Sequence, residues 1–214
     1  MEWKKKLALL RRISYDLKLI HSQGYVHRDL HSGNVLLDDV YNGYIADLGL
    51  SISSNIALKA EANNDKIYGI LPYVAPEILD GKPYTKASDI YSFGMIMWEI
   101  LYGKSVSYDQ NDEIKLQLQI CYDDLRPSIN EDSPQCYIKL MKECWEKEPD
   151  ERPSAEIICE TFADWQDDQE MLLELSKSDE ILEKRRYTYN QTYTGAFNGG
   201  KFIPYTRSLL NNVL

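Results

Sequence analysis

Apolar side chains recur at intervals of three and four residues near the start of the chain, with basic residues between them. The members of this set are Leu7, Leu10, Ile13, Leu17 and Ile20. That period is typical of an amphipathic helix with one buried face. Gly24, two residues after Ser22, predicts where the helix ends.

Further helices are predicted in the second half of the chain. From Asp89 to Leu101 the residues are apolar nearly all round, which favours a helix at the centre of the domain. Ser133-Pro134 and Pro153-Ser154 are typical helix starts, and at the first of them we expect the serine hydroxyl to cap the helix. An additional amphipathic helix is predicted over 166–186.

Strand signals are few and short. Val35–Leu37 and Tyr44–Ile45 predict a small hairpin. Residues 50–68 follow neither period and are expected to form a long mobile loop, a feature that is usually functional in compact domains. The segment 187–214, rich in Tyr, Asn, Thr and Gly, is expected to be a poorly ordered tail. The predicted fold is therefore mainly α with a minor β-hairpin.

Composition narrows the functional classes. The chain has 214 residues, of which 43% are hydrophobic, and a net charge of −10. This acidic balance argues against nucleic-acid binding, and the short basic clusters, such as Lys4-Lys5-Lys6, are interpreted as solvated helix faces. No segment predicts a membrane span or a signal peptide, so a soluble cytoplasmic protein is expected. The four cysteines lack CxxC or histidine spacing for zinc.

Five short motifs carry the candidate chemistry. In chain order they are His27-Arg28-Asp29-Leu30-His31-Ser32-Gly33-Asn34, Asp47-Leu48-Gly49, Ala75-Pro76-Glu77, Ser88-Asp89-Ile90-Tyr91-Ser92-Phe93-Gly94 and Asp150-Glu151-Arg152-Pro153. Their order and spacing resemble the C-terminal lobe of eukaryotic protein kinases. By motif the chain is most similar to the tyrosine-kinase-like (TKL) group, over 1–165.

The resemblance implies a catalytic role for several polar residues. Asp29 would accept the proton of a protein hydroxyl, while Asn34 and Asp47 would hold Mg²⁺ ions that bridge the phosphates of ATP. Leu36 would lie under the adenine ring. Arg28 would bind a phosphate on the following segment, in which the acceptors would be Ser51, Ser53, Ser54 and Tyr68.

Other matches are structural in the kinase family. Glu77 would pair with Arg152, and Asp89 would accept hydrogen bonds from backbone N–H groups of the catalytic loop. His27, Leu48 and Asp89 would form the lower half of the regulatory spine. Gly49 would let the backbone turn tightly beside the metal.

The sequence also departs from the family pattern. His31 stands where serine/threonine kinases usually carry a lysine against the γ-phosphate, and Ile70 replaces a threonine that contacts the catalytic aspartate. Specificity for Ser/Thr or Tyr therefore stays open. Before His27 there is no G-x-G-x-x-G and no V-A-I-K, which predicts a C-lobe without the ATP-gripping N-lobe. Weak ATP binding and negligible turnover would follow.

Two functions remain open at this stage. The first is a protein kinase of signal transduction, acting on a protein substrate with ATP and Mg²⁺. The second is a catalytically dead lobe that serves as a binding scaffold or decoy for kinase substrates and regulators. In either case Leu36 and Leu48 would face water on the upper surface, where a regulatory protein or the missing N-lobe would bind.

Overall fold

The computed structural model describes residues 1–38, 43–54, 66–108, 112–186, 201–204 and 206. Within these ranges the chain forms seven helices and six short strands. The helices are α1 (Trp3–Ser22), α2 (Pro76–Leu79), α3 (Lys86–Tyr102), α4 (Glu113–Tyr122), α5 (Gln135–Cys144), α6 (Ala155–Asp167) and α7 (Gln169–Arg186). The strands are β1 (Tyr25–Val26), β2 (Val35–Leu37), β3 (Gly43–Ile45), β4 (Ile52–Ser53), β5 (Lys66–Gly69) and β6 (Lys201–Pro204). The mainly helical fold predicted from the sequence is confirmed.

The strands form three antiparallel pairs, β1 with β4, β2 with β3, and β5 with β6. The pairing of β2 with β3 was predicted from the sequence, although β3 begins at Gly43, one residue earlier than expected. Val35 lies opposite Ile45 and Leu37 opposite Gly43. The region expected to be a loop differs. Ile52–Ser53 pairs with β1, and β5 begins at Lys66, so both of its ends are strands. Residues 55–65 lie outside the described residues.

Helix α3 lies at the centre of the domain. Its apolar side chains are buried on every side, including Phe93, Met95 and Met97, because other helices surround it. The helix ends at Gly103, whose φ of 64° is in the left-handed region that glycine adopts without strain. At Gly94 a Cβ atom would lie 3.0 Å from Cβ of Cys144, so the absent side chain lets α3 and α5 approach closely.

Helix α1 lies against α6 and β3. Of the apolar positions that predicted it, Leu7, Leu10, Ile13 and Leu17 are buried and Ile20 is half-buried. Gly24 follows the end of the helix with a φ of 77°. Helix α7 packs on α6 and α1 through the buried Leu175. Lys6 Nζ lies 2.9 Å from Asp179 Oδ2 and is itself buried. The interpretation of Lys6 as part of a solvated face is therefore wrong, because α7 covers it.

Two local expectations are corrected by contacts made elsewhere. Helix α5 starts after Pro134 without a side-chain cap, since the Ser133 hydroxyl instead lies 3.0 Å from Tyr102 Oη. Within the segment expected to be a poorly ordered tail, Lys201–Pro204 forms strand β6. Residues 187–200, 205 and 207–214 lie outside the described residues. No helix in the described ranges is both long enough and apolar enough to cross a membrane.

Candidate active site

Asp89, in the first turn of α3, fixes the start of the loop that joins β1 to β2. Its carboxylate accepts hydrogen bonds from the backbone N–H of His27 (2.8 Å) and of Arg28 (3.0 Å), and from Nε2 of His21 (2.8 Å). Arg28 has a φ of 76°, a left-handed conformation that costs a non-glycine residue about 1–3 kcal/mol. The charge-assisted hydrogen bonds to Asp89 offset that strain.

Asp29 and Asn34 meet at the far end of this loop. The Asn34 side-chain amide donates to the Asp29 backbone carbonyl at 2.8 Å and lies 3.4 Å from its carboxylate oxygen Oδ2. Since its nitrogen is used in this way, Asn34 Oδ1 is left to bind a ligand. A 3₁₀ turn over Ser32–Asn34 sets this geometry.

His31 points one ring nitrogen at Asp29. Its Nδ1 accepts a hydrogen bond from the Gly33 backbone N–H at 3.0 Å, so a neutral ring carries its proton on Nε2. Nε2 lies 3.8 Å from Asp29 Oδ2. A Cβ atom at Gly33 would lie 2.8 Å from Cε1 of His31, so glycine is needed there for the ring to fold back over the turn.

Asp47 follows β3 at the same end of the domain. It is exposed, has a φ of 57°, and accepts a hydrogen bond from the Gly49 backbone N–H at 3.2 Å. The preceding residue links the two loops, because Ala46 N–H donates to the Asn34 carbonyl at 2.8 Å and His27 Nε2 donates to the Ala46 carbonyl at 3.1 Å. The backbone segments that carry Asn34 and Asp47 are therefore joined by a direct hydrogen bond.

The donor chemistry of this pair fits a magnesium ion. A carboxylate and an amide oxygen are ligands that Mg²⁺ accepts, and the ion completes its shell with phosphate oxygens and water. The described residues contain no group of three or more His, Cys, Asp or Glu side chains arranged to hold a metal.

Arg28 presents a cation beside the loop. Its guanidinium carbon lies 4.7 Å from the centre of the Tyr84 ring. Its Nε is buried and has no hydrogen-bond partner among the described residues. The pocket around it also includes Ser88 and Asp89. That pocket has a volume of about 10 Å³, which is about the space that one water molecule needs.

The segment that follows β5 contacts the loop through Tyr73. Tyr73 Oη lies 3.3 Å from Ser32 Oγ, and the Tyr73 carbonyl accepts from Ser92 Oγ at 2.8 Å. Burial, together with the nearby Glu99 carboxylate, raises the pKa of the Tyr73 hydroxyl, which keeps it protonated. Ile70, at the position where the family pattern has threonine, is buried and apolar.

Glu77 in α2 and Arg152 before α6 form a buried two-point ion pair. Nη1 and Nη2 of Arg152 lie 2.7 and 2.8 Å from the two carboxylate oxygens of Glu77. Arg152 also donates to the carbonyls of Ala87 and Glu146. These bonds join the segment after β5 to the helical core.

The upper surface of the site is apolar and exposed. Leu36 is 58% exposed and Leu48 is 55% exposed, beside the exposed Leu37 and Leu50. His27 is buried below them. A pocket of about 300 Å³ lies beside β2 and is lined by residues that include Val35, Ile96 and Ile100.

Three residues contact the loop in ways that were not predicted from the sequence. His21 lies on α1 four residues after Leu17, so its place on the apolar face was a signal for burial. Tyr73 and Tyr84 gave no local signal, because their contacts with Ser32 and Arg28 bring together distant parts of the chain.

This edge of the helical lobe carries an aspartate, an asparagine and a second aspartate on two loops that are joined by a backbone hydrogen bond. The family model "protein tyrosine and serine/threonine kinase" matches residues 1–162, and the chain belongs to this protein kinase family.

Proteins with sequences similar to this chain are named as protein kinases. A protein of Acanthamoeba polyphaga mimivirus named as a serine/threonine-protein kinase/receptor, R818, is 36% identical over 159 residues, covering 73% of this chain and 9% of its own length. A LIM domain-containing serine/threonine-protein kinase of Dictyostelium discoideum is 34% identical over 157 residues, covering 73% and 16%. The serine/threonine/tyrosine-protein kinase HT1 of Arabidopsis thaliana is 32% identical over 147 residues, covering 69% and 36%. The chain thus spans about a third or less of each of these relatives.

Proposed function

We propose that the chain carries the catalytic and metal-binding face of a TKL-type protein kinase, which transfers phosphate from Mg-ATP to a hydroxyl group of a protein. The observation that carries the proposal is the joint anchoring of Asp29, Asn34 and Asp47. Asn34 donates to the Asp29 carbonyl, and its own carbonyl accepts from the residue before Asp47. A lobe with a purely structural role has no need to retain all three of these residues.

Each residue has a defined task in this chemistry. Asp29 orients the substrate hydroxyl and accepts its proton. Asn34 Oδ1 and the Asp47 carboxylate hold Mg²⁺, which when bound neutralises charge on the phosphates of ATP. His31 places its Nε2 3.8 Å from Asp29 Oδ2, beyond hydrogen-bond distance, where it faces the catalytic carboxylate. Leu36 supplies an apolar surface for adenine, and Arg28 binds a phosphate on the segment that contains Ser51, Ser53, Ser54 and Tyr68.

The names of the relatives support a proposal for the substrate class. They are named as serine/threonine, dual-specificity and serine/threonine/tyrosine kinases. Serine or threonine is therefore the proposed acceptor here, with tyrosine as the alternative, in cytoplasmic signal transduction. Residues 1–214 include neither a G-x-G-x-x-G nor a V-A-I-K before His27. For these residues alone we expect weak ATP binding and negligible transfer, because positioning of the phosphates dominates this reaction.

The test uses the native protein. An antibody against Tyr187–Leu214 would isolate it from its own cells, and transfer of labelled γ-phosphate to a generic protein mixture would be measured beside its mass. Asp29→Asn should abolish transfer. Asp164→Asn, an exposed carboxylate of α6, should leave transfer unchanged. Equal activity of the Asp29→Asn protein and the wild type would contradict the proposed function.

A binding scaffold is the second candidate, and the exposed leucines of the upper surface favour it. In that case a regulatory protein would cover Leu36 and Leu48. A native protein with the 24.8 kDa mass of this chain and no activity would support the scaffold. A heavier, active protein would support the kinase.

A further inference from the structure

Strand β6 is added to the edge of β5 from the far end of the sequence. The two strands are antiparallel, with Ile67 opposite Ile203 and Gly69 opposite Lys201. They form a separate two-stranded sheet among the described residues. An isolated pair of strands is marginal in water, so side-chain contacts must hold β6 in place.

Ile203 provides the first of these contacts. It is only 4% exposed and belongs to the main hydrophobic core. Its partner across the strands, Ile67, is also buried. Cross-strand pairs of this kind stabilise a sheet in addition to its backbone hydrogen bonds.

Thr206 provides the second contact and is completely buried. Its hydroxyl donates to the Leu79 carbonyl at the end of α2 (2.9 Å) and accepts from Nε2 of Gln117 in α4 (3.0 Å). The Cys121 sulfur lies 3.4 Å away. One donor and two acceptor positions are all that a hydroxyl offers, so this pocket between α2 and α4 is matched to a threonine or serine.

These features together make up a peptide-binding site. A free strand edge supplies backbone hydrogen bonds, and pockets for particular side chains supply selectivity, as in recognition by strand addition. Here the Ile203 side chain lies in an apolar pocket, and the Thr206 hydroxyl lies in a polar pocket. The surface continues directly into Ile70–Tyr73, whose Tyr73 contacts Ser32 beside the catalytic loop.

We propose that the face formed by β5, Leu79, Gln117 and Cys121 is a binding site for an extended peptide, and that residues 201–204 and 206 of the same chain are its resident ligand. The segment docks in cis, and a strand with the same apolar and hydroxyl anchors binds in trans when the resident is released. Its consequence for catalysis rests on the proposed function: while docked, the segment covers the edge that leads to the catalytic loop and competes with protein strands for it.

Hydrogen exchange of the full chain, followed by mass spectrometry, tests the docking without any assay of phosphate transfer. Ile203→Asp and Thr206→Val should each raise exchange of the 66–69 amides about tenfold or more, since each removes a buried anchor. The matched control is Thr161→Val, because among the described residues the Thr161 hydroxyl donates to the carbonyl of Ile157 in its own helix. Unchanged protection in both tail variants would overturn the proposal.

Binding in trans is tested on the full-length Ile203→Asp protein. A synthetic peptide with the sequence of residues 199–208 should restore protection of the 66–69 amides, and the same peptide with valine for Thr206 should not. Restoration by both peptides, or by neither, would overturn the matched-pocket proposal. Because the readout is exchange, a catalytically inactive protein leaves this result unaffected, and failure here leaves the kinase assignment standing.

Discussion

The two sides of the catalytic loop differ in how completely their groups are packed and paired. Below the loop, Asp89 accepts three hydrogen bonds and Arg152 forms a two-point ion pair with Glu77, all in the buried interior. Above it, Asp47 is exposed and Leu36 and Leu48 face solvent. The groups on the lower side are buried and paired with one another, whereas the upper side presents exposed carboxylate and leucine side chains.

This contrast predicts that the lower side governs stability and the upper side governs binding. Buried ions and hydrogen-bonded groups are costly to alter singly, because the remaining partner is left unpaired. Exposed groups can be changed with little effect on folding. Variants on each side of the loop test that division.

Breaking the buried ion pair should have the largest effect. Arg152→Met leaves the Glu77 carboxylate without its partner and should lower the free energy of unfolding by about 3–5 kcal/mol. Urea denaturation would measure it. Lys139→Met, which removes an exposed partner 3.9 Å from Glu143, should cost less than about 1 kcal/mol. Similar losses for the two variants would show that burial of the pair is unimportant.

The anchor of the catalytic loop should come next. Asp89→Asn keeps the shape of the side chain but removes its charge and one acceptor oxygen. We expect a loss of about 1–3 kcal/mol, together with faster exchange of the His27 and Arg28 amides. A variant with wild-type stability and unchanged amide protection would mean that Asp89 does not fix the loop.

Substitutions of an exposed and of a buried leucine should lower the free energy of unfolding by very different amounts. Leu36→Gln on the upper surface should change the free energy of unfolding by no more than about 0.5 kcal/mol. It should also reduce self-association measured by sedimentation. Leu17→Ala, in the buried face of α1, should cost about 2–5 kcal/mol. A large loss at Leu36 would indicate that the upper surface is part of the core.

The smallest expected effect is on the alkylation rate of Cys121, which lies beside the docked Thr206. Burial raises the pKa of the Cys121 thiol, so at pH 8 it is less ionised than a free cysteine and alkylates slowly. Ile203→Asp should accelerate its alkylation, followed by mass spectrometry, by exposing the thiol. Cys144 is buried in the core by α3 and α5 and should react at the same low rate in both proteins. Parallel acceleration at Cys144 would indicate general unfolding.

Local patterns predicted the parts of the fold that depend on neighbouring residues. The period of Leu7 to Leu17 predicted α1, and the apolar stretch from Asp89 predicted the buried α3. The Glu77–Arg152 contact was implied only by family resemblance, since 75 positions separate the two residues. Their motifs made that pairing visible where periodicity could not.

The missed features are those decided by distant partners. Strand β4 exists because β1 offers it an edge, and β6 because β5 does. Lys6 is buried because α7 returns to cover it. Ser133 contacts Tyr102 and does not cap its own helix. None of these outcomes is encoded in the residues next to the position concerned.

Binding of a divalent cation at Asn34 and Asp47 is the first measurement to make. Mn²⁺ with ATP would be titrated into the isotopically labelled chain, and broadening of amide signals would locate the ion. Signals of Asn34, Leu48 and Gly49 should broaden first in the wild type and stay sharp in Asp47→Asn, while the Asp164→Asn control should match the wild type. Broadening that centres elsewhere, or that survives Asp47→Asn unchanged, would contradict a kinase metal site at this edge of the lobe.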